Sequence, residues 1–168
     1  MNGLRRFAPG PVSVLLLSTA GCTPAMEWSA VRTMVRTAFP EVTQISTDSL
    51  SVILSDTTAV TILDVREAEE YVVSRLPGAI HIDPDATDFS ALDPAGPIVT
   101  YCSVGYRSSA LAKRLQEAGF EVVNLEGSIF KWANEGRPIV NDSGATSRVH
   151  AFDKTWGKLL NEELRTGL

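Results

Sequence analysis

The stretch Tyr101-Cys102-Ser103-Val104-Gly105-Tyr106-Arg107-Ser108-Ser109 carries the residues of this chain best suited to covalent chemistry. Cys102 follows the apolar run Ile98-Val99-Thr100-Tyr101 and precedes a segment of helical periodicity ending near Gly119. At a strand-to-helix junction the N–H groups of a tight loop can converge on an anion, and the first turn of the helix adds roughly half a positive charge. Both effects favour the thiolate, the nucleophilic form of cysteine. Gly105 gives the backbone freedom where the loop is tightest, and Arg107 adds a fixed positive charge at its far end. Dipoles that hold the anion make a general base unnecessary, which suits a chain with two histidines. Against this stands a bland alternative: a single cysteine after an apolar strand is commonly a small buried hydrophobe.

The elements that must position Cys102 follow from the pattern. Val31, Met34, Val35 and Ala38 share one helical face, with Pro40 as a stop. A short strand is expected in Glu41–Ser46, then a helix from Thr47 to Asp56, capped by Thr47, with Leu50, Ile53 and Leu54 inward. Ala59–Val65 reads as a strand covered on both faces, with Asp64 near its end. A short helix with Tyr71 on its apolar side, a turn at Pro77-Gly78 and another strand follow, then a polar, turn-rich segment over residues 83–97. Pro97–Tyr101 is the strand before Cys102, and the next helix turns Leu111 and Leu115 inward, with Gly119 as its C′ residue. Phe120–Leu125 is a strand and Ile129–Gly136 a helix. This alternation predicts an α/β fold, a central mostly parallel sheet with helices on both faces. Ligands of such sheets bind beyond the carboxyl ends of the strands, where Cys102 and Asp64 both lie. The expected organisation is a signal segment over 1–21, a helical segment over 22–40, a compact domain over 41–140, and a linker with a C-terminal amphipathic helix over 141–168. Phe152, Trp156, Leu159, Leu160 and Leu164 form the stripe of that last helix, which Gly157 weakens. It would pack on its own domain or offer a face to a partner.

Composition narrows the function. The chain has 168 residues, 44% of them apolar, and a formal charge of −5 without a basic cluster, which argues against nucleic-acid binding. Arg5 and Arg6 precede the apolar run Val12–Ala20, which is too short to span a bilayer and ends in Ser18-Thr19-Ala20-Gly21-Cys22. This resembles a bacterial lipoprotein signal. Export from the cytoplasm is expected, with acylation of Cys22 anchoring the chain to a membrane facing the periplasm or cell exterior. Cys102 would then have no disulfide partner in the chain. His81 and His150 have no companions at metal-ligand spacing, so no metal is expected, and His81 is expected to be structural. No glycine-rich dinucleotide fingerprint is present and no cofactor is expected. Arg66 and Glu67 could form a simple surface pair.

The segments "LDVREAEEY", "LPGAIHI", "YCSVGYRSS" and "GFEVVNLEGSIFKWANEGRPIV" resemble, in order and spacing, the motifs of the single-domain rhodanese family over most of Glu41 to Val140. The resemblance implies a rhodanese-like α/β fold. It implies that Cys102 accepts sulfur as a persulfide, within a loop of Ser103, Val104, Gly105, Tyr106 and Arg107 whose amides surround it. Asp64 and Arg66 would support the site, and Trp132 would be core. The implied activity moves sulfane sulfur from a donor such as thiosulfate or a persulfide to cyanide or a thiol. A non-catalytic module that binds a partner or senses sulfur is the alternative. Four residues separate Cys102 from Arg107; phosphatases of similar fold have a loop one residue longer, so the resemblance disfavours phosphatase and arsenate reductase activity. Ser74-Arg75 and Ser128 depart from the family's commoner glycine-containing pattern. Glu70 stands where some thiosulfate-using members carry an arginine. A carboxylate there would repel thiosulfate, and it could pair with Arg107 instead. Tyr106 would either line the pocket mouth or simply be exposed.

Overall fold

A computed structural model describes residues 27–56 and 59–168. The signal segment and Cys22 lie outside the described residues. Strands β1 (Gln44–Ile45), β2 (Thr61–Asp64), β3 (Ile80–His81), β4 (Ile98–Tyr101) and β5 (Val122–Leu125) form one sheet in the order β1-β5-β4-β2-β3. All its neighbouring strands are parallel. Side chains along a strand alternate between faces, so these apolar runs feed two cores. Ile62, Val99, Tyr101 and Leu125 join one core with Val31 and Val35 of helix α1 (Trp28–Ala38), Leu50 of α2 (Thr47–Ser55) and Ile129 of α5 (Ser128–Asn134). Leu63, Ile98 and Val122 join the other with Leu111, Ala112 and Leu115 of α4 (Tyr106–Glu117). Trp132 of α5 is buried in the first core, and its indole N–H donates to the Pro138 carbonyl at 2.9 Å. The short helix α3 (Ala68–Val73) follows β2. No helix among the described residues is long and apolar enough to cross a membrane.

Local chemistry corrects several expectations. The N-cap of α2 is Ser46, whose Oγ accepts from the Ser49 N–H at 3.0 Å, while Thr47 is buried inside the first turn. Only that first turn of α2 is covered, so Leu54 stays exposed and Ile53 half-buried. In α1, Val31 and Val35 face the core, but Met34 and Ala38 are exposed. Their side of the helix borders the carboxyl edge of the sheet rather than its face, as the site shows below.

The largest correction is C-terminal. The segment expected as a linker forms a hairpin, β6 (Ile139–Asn141) with β7 (Gly144–Thr146). Its polar residues make turn chemistry: Asn141 Oδ1 accepts from the Ser143 N–H at 2.9 Å, and Gly144 takes a φ of 114°. The tail is not an α-helix. It runs as β8 (Val149–His150), two 3₁₀ turns (Trp156–Leu159 and Glu162–Leu164) and β9 (Arg165–Thr166), which pairs parallel with β8. Asp153 Oδ1 accepts from the N–H groups of Thr155 (2.7 Å) and Trp156 (2.8 Å) and winds a tight turn in place of a helix start. Gly157 is packed so closely on Ala151 that an added Cβ would lie 3.0 Å from the Ala151 Cβ. Asn134 of α5 then fixes the next bend, donating to the Leu159 carbonyl at 2.7 Å and accepting from the Asn161 N–H at 2.8 Å. Val149, Leu159 and Leu160 are buried in the first core, so the tail packs on its own domain.

Candidate active site

The loop after β4 is held by its carbonyls and by one amide. The first N–H groups of α5, from Ile129 and Phe130, donate to the carbonyls of Cys102 and Ser103, each at 3.2 Å. The Cys102 N–H donates to Ser128 Oγ at 3.1 Å, and that hydroxyl donates to the Leu125 carbonyl at 3.1 Å. Ser128 sits at a φ of 50°, a left-handed conformation uncommon for a residue other than glycine. The Gly105 carbonyl accepts from the Ser109 hydroxyl at 2.7 Å and the Ser109 N–H at 3.2 Å. The Gly105 N–H, which belongs to the preceding peptide, points at Cys102 Sγ, 3.2 Å away. Gly105 is the N-cap of α4 at a φ of 112°, and an added Cβ would lie 3.3 Å from Asn124 Nδ2. A donor and the start of a twelve-residue helix therefore both face the sulfur.

Glu70 joins α3 to this loop. Its Oε1 accepts from Ser103 Oγ at 2.7 Å, and its Oε2 accepts from the Glu67 N–H at 3.1 Å within a capping box. Arg107 completes the cluster: Nη2 donates to Glu70 Oε1 at 2.9 Å and to Ser103 Oγ at 3.0 Å, and Nη1 lies 2.7 Å from Glu70 Oε2. Glu67 is 3.6 Å from the same guanidinium. Burial pushes the Glu70 carboxyl up, but the hydrogen bond and charge of Arg107, the Ser103 hydroxyl and the charge of Arg66 outweigh it and hold the group below the ordinary glutamate range. Burial works against the charged Arg107 too, and its hydrogen bond to Glu70 with the charges of Cys102, Glu70 and Glu67 raises its pKa nevertheless.

Asp64 and Arg66 do not touch the sulfur. Both are fully buried, and Arg66 clasps Asp64 through Nε (2.8 Å) and Nη2 (2.6 Å), with Nη2 also donating to the Ser74 carbonyl at 2.5 Å. Arg66 is therefore no surface partner of Glu67. The parallel register sets Asp64 beside Tyr101, whose hydroxyl donates to Asp64 Oδ2 at 2.5 Å and accepts from the Leu76 N–H at 3.1 Å. His81 Nε2–H donates to the Arg66 carbonyl at 2.7 Å, a structural bond. This buried network ties β2, β4 and the turn after α3 together beneath the loop. Among the described residues no group of three or more His, Cys, Asp or Glu side chains is placed to hold a metal ion.

Cys102 is 1% exposed, yet it forms part of the floor of a pocket of about 440 Å³. Ser103, Val104, Tyr106 and Arg107 line it from the loop, Met34 and Ala38 from α1, and Phe152 and Trp156 from the tail. Tyr106 therefore lines the mouth and is also 44% exposed, with its ring edge-on to Phe39. The sequence points to Cys102 and its loop but not to Ser128, Phe152, Trp156 or Met34 as neighbours of the sulfur. The apolar periodicity that marks Met34, Phe152 and Trp156 carries no sign of where those faces lie.

The chemistry open to this arrangement is nucleophilic attack by a sulfur held between an amide and a helix N-terminus. Residues 46–135 match the family model described as a rhodanese-like domain. The chain is 34% identical over 102 residues to a putative sulfurtransferase of Bacillus subtilis, YtwF, a match covering 58% of this chain and 97% of that protein. It is also 34% identical over 108 residues to a sulfurtransferase of Allochromatium vinosum, covering 61% of this chain and 99% of the other. Among solved structures, a rhodanese-related protein from Thermoplasma volcanium superposes with a TM-score of 0.54 at 29% identity, covering 58% of this chain and 97% of its own.

Proposed function

The chain belongs to the rhodanese-like domain family, and from that premise we propose that it transfers sulfane sulfur through a persulfide on Cys102. The observation that carries this is the Gly105 N–H, 3.2 Å from Sγ at the floor of an open pocket. In the first half-reaction the Cys102 thiolate attacks the outer sulfur of a donor. An Sγ–S bond forms, the donor's bond to that sulfur breaks, and its electron pair leaves with the remainder of the donor. In the second, an acceptor such as cyanide or a thiolate takes the outer sulfur and the electron pair returns to Sγ. Fixed donors aimed at a charged sulfur stabilise it without reorganisation, and one such donor is commonly worth about 3 kcal/mol. Arg107, immobilised by Glu70 and Ser103, fixes the far side of the loop. Ping-pong kinetics follow from a covalent intermediate. Steady-state rates over a grid of donor and acceptor concentrations test this: parallel double-reciprocal lines, and loss of turnover in Cys102→Ser, are expected. Turnover retained without the thiol overturns it.

A sulfur-sensing module is the second reading, favoured by the 1% exposure of Cys102. It differs in one respect, since a loaded sensor would not yield its sulfur to an acceptor. The proposal also places the protein outside the cytoplasm, acylated on Cys22. Incorporation of labelled fatty acid by the wild type and not by Cys22→Ser tests that part.

A further inference from the structure

Four of the nine residues that line the pocket come from outside the span that matches the family. Met34 and Ala38 belong to α1, Phe152 and Trp156 to the tail, and all four lie beyond residues 46–135. With Tyr106 they make the rim predominantly apolar and aromatic. Phe152 is held there at a conformational cost. Its φ is 64°, the second left-handed non-glycine residue among the described ones, and such strain amounts to about 1 kcal/mol or more. The Phe152 N–H donates to His150 Nδ1 at 3.1 Å, and the Asp153 N–H closes across it onto the Ala151 carbonyl at 2.8 Å. This places the ring 4.7 Å from the Arg107 guanidinium, at the mouth, where it remains 42% exposed.

The charge at the mouth points the same way. Arg107 is the one cation among the residues lining the pocket, and it is already paired with Glu70 and Glu67. These pairings engage its charge within the fold and leave little of it for a small dianion. A volume of about 440 Å³ is far more than a sulfur atom or thiosulfate occupies and falls within the range for small organic ligands.

Resting on the sulfur-transfer reading, we propose that this pocket selects sulfane donors and thiol acceptors bearing a compact apolar or aromatic group, in preference to thiosulfate. For an organic persulfide R–S–SH, the Cys102 thiolate takes the outer sulfur to give the Cys102 persulfide, and R–S⁻ leaves. The donor is reduced to its thiolate as Cys102 is oxidised, so no further oxidant or reductant is required. The acceptor R′–S⁻ reverses the step and departs as R′–S–SH.

Benzenethiosulfonate and methanethiosulfonate present the same reacting sulfur on a large and a small group. Each passes its sulfane sulfur to the thiolate and leaves as a sulfinate. The full chain is assayed with each donor and cyanide as common acceptor. The ratio of kcat/KM values is divided by the ratio of the donors' rates with a small thiolate in free solution. The corrected preference for the benzene donor is expected to be about tenfold or more, and to fall towards one in Phe152→Ala and Trp156→Ala. Loading of Cys102 by methanethiosulfonate, read by intact mass, reports that the variants are folded. A corrected ratio near one in the wild type, or one that both folded variants leave unchanged, overturns the selectivity while sulfur transfer stands. If neither donor loads Cys102 in the wild type, the sulfur-transfer reading falls, and this proposal with it.

Discussion

Arg107 and Glu70 meet end-on, with Nη1 2.7 Å from Oε2 and Nη2 donating to Oε1 at 2.9 Å. The pair spans α3 and the first turn of α4, and the Ser103 hydroxyl lies between its members. It thus fixes the loop's only arginine in a clasp that leaves it little charge to offer an incoming anion.

Glu70→Gln removes the buried negative charge that pairs with Arg107 while keeping an acceptor for Ser103. The KM for thiosulfate is expected to fall roughly fivefold, as loss of one like charge worth about 1 kcal/mol would give. A neutral-tailed organic persulfide should show a much smaller change. Equal changes for both donors in steady-state kinetics would contradict the electrostatic account.

The same carboxylate makes stability depend on acid. Its folded pKa lies below the ordinary value of 4.5, so the ionised group stabilises the fold above that value. This contribution is lost as pH falls below 4.5 and through the folded pKa. Thermal melts of wild type and Glu70→Gln over that range should converge as the pH drops. A difference in Tm that stays constant into acid would show that the carboxylate's charge is not what stabilises the fold.

Ser128 offers a separable test because its backbone and its hydroxyl do different things. Ser128→Ala loses the acceptor for the Cys102 N–H and keeps an unfavourable φ of 50°, whereas Ser128→Gly loses the hydroxyl but tolerates that conformation. Both should lower kcat by loosening the loop. Denaturant unfolding should find the glycine variant the more stable by about 1 kcal/mol.

Asp64→Asn leaves Arg66 charged and fully buried with a weaker partner. Breaking a buried pair by removing one partner costs about 3–5 kcal/mol, and the amide recovers only part of the bonding. Urea titration should show a large drop in the midpoint. A loss below about 0.5 kcal/mol, the range of ordinary surface changes, would contradict the role given to this pair.

What the sequence makes legible follows from how local each signal is. The alternation of strands and helices, the position of Cys102 after β4 and Gly119 at the end of α4 are written in neighbouring residues. Glu70 beside Arg107 is a pairing across the fold, reachable only because the resemblance put both near the loop. Ser128 reads as a missing glycine, and its hydroxyl bond to Cys102 is invisible until α5 is placed against the loop. The tail misleads for a definite reason. Phe152, Trp156, Leu159 and Leu160 have helical spacing, but Asp153, Gly157 and the Asn134 side chain bend the chain into short turns. The same apolar residues are then split between the core and the pocket rim. Arg66 and Glu67 adjoin in sequence, but the turn between β2 and α3 buries the first and leaves the second exposed.

The central claim is that one amide and one helix start hold a charged sulfur on Cys102 and let it be loaded and unloaded. Intact-mass measurement of the full chain after incubation with a sulfane donor, then with a thiol or cyanide, addresses it most directly. The account predicts a gain of one sulfur atom, mapped to the peptide containing Cys102, absent in Cys102→Ser and removed by the acceptor. No gain on Cys102, or a gain of the same size in Cys102→Ser, would contradict it.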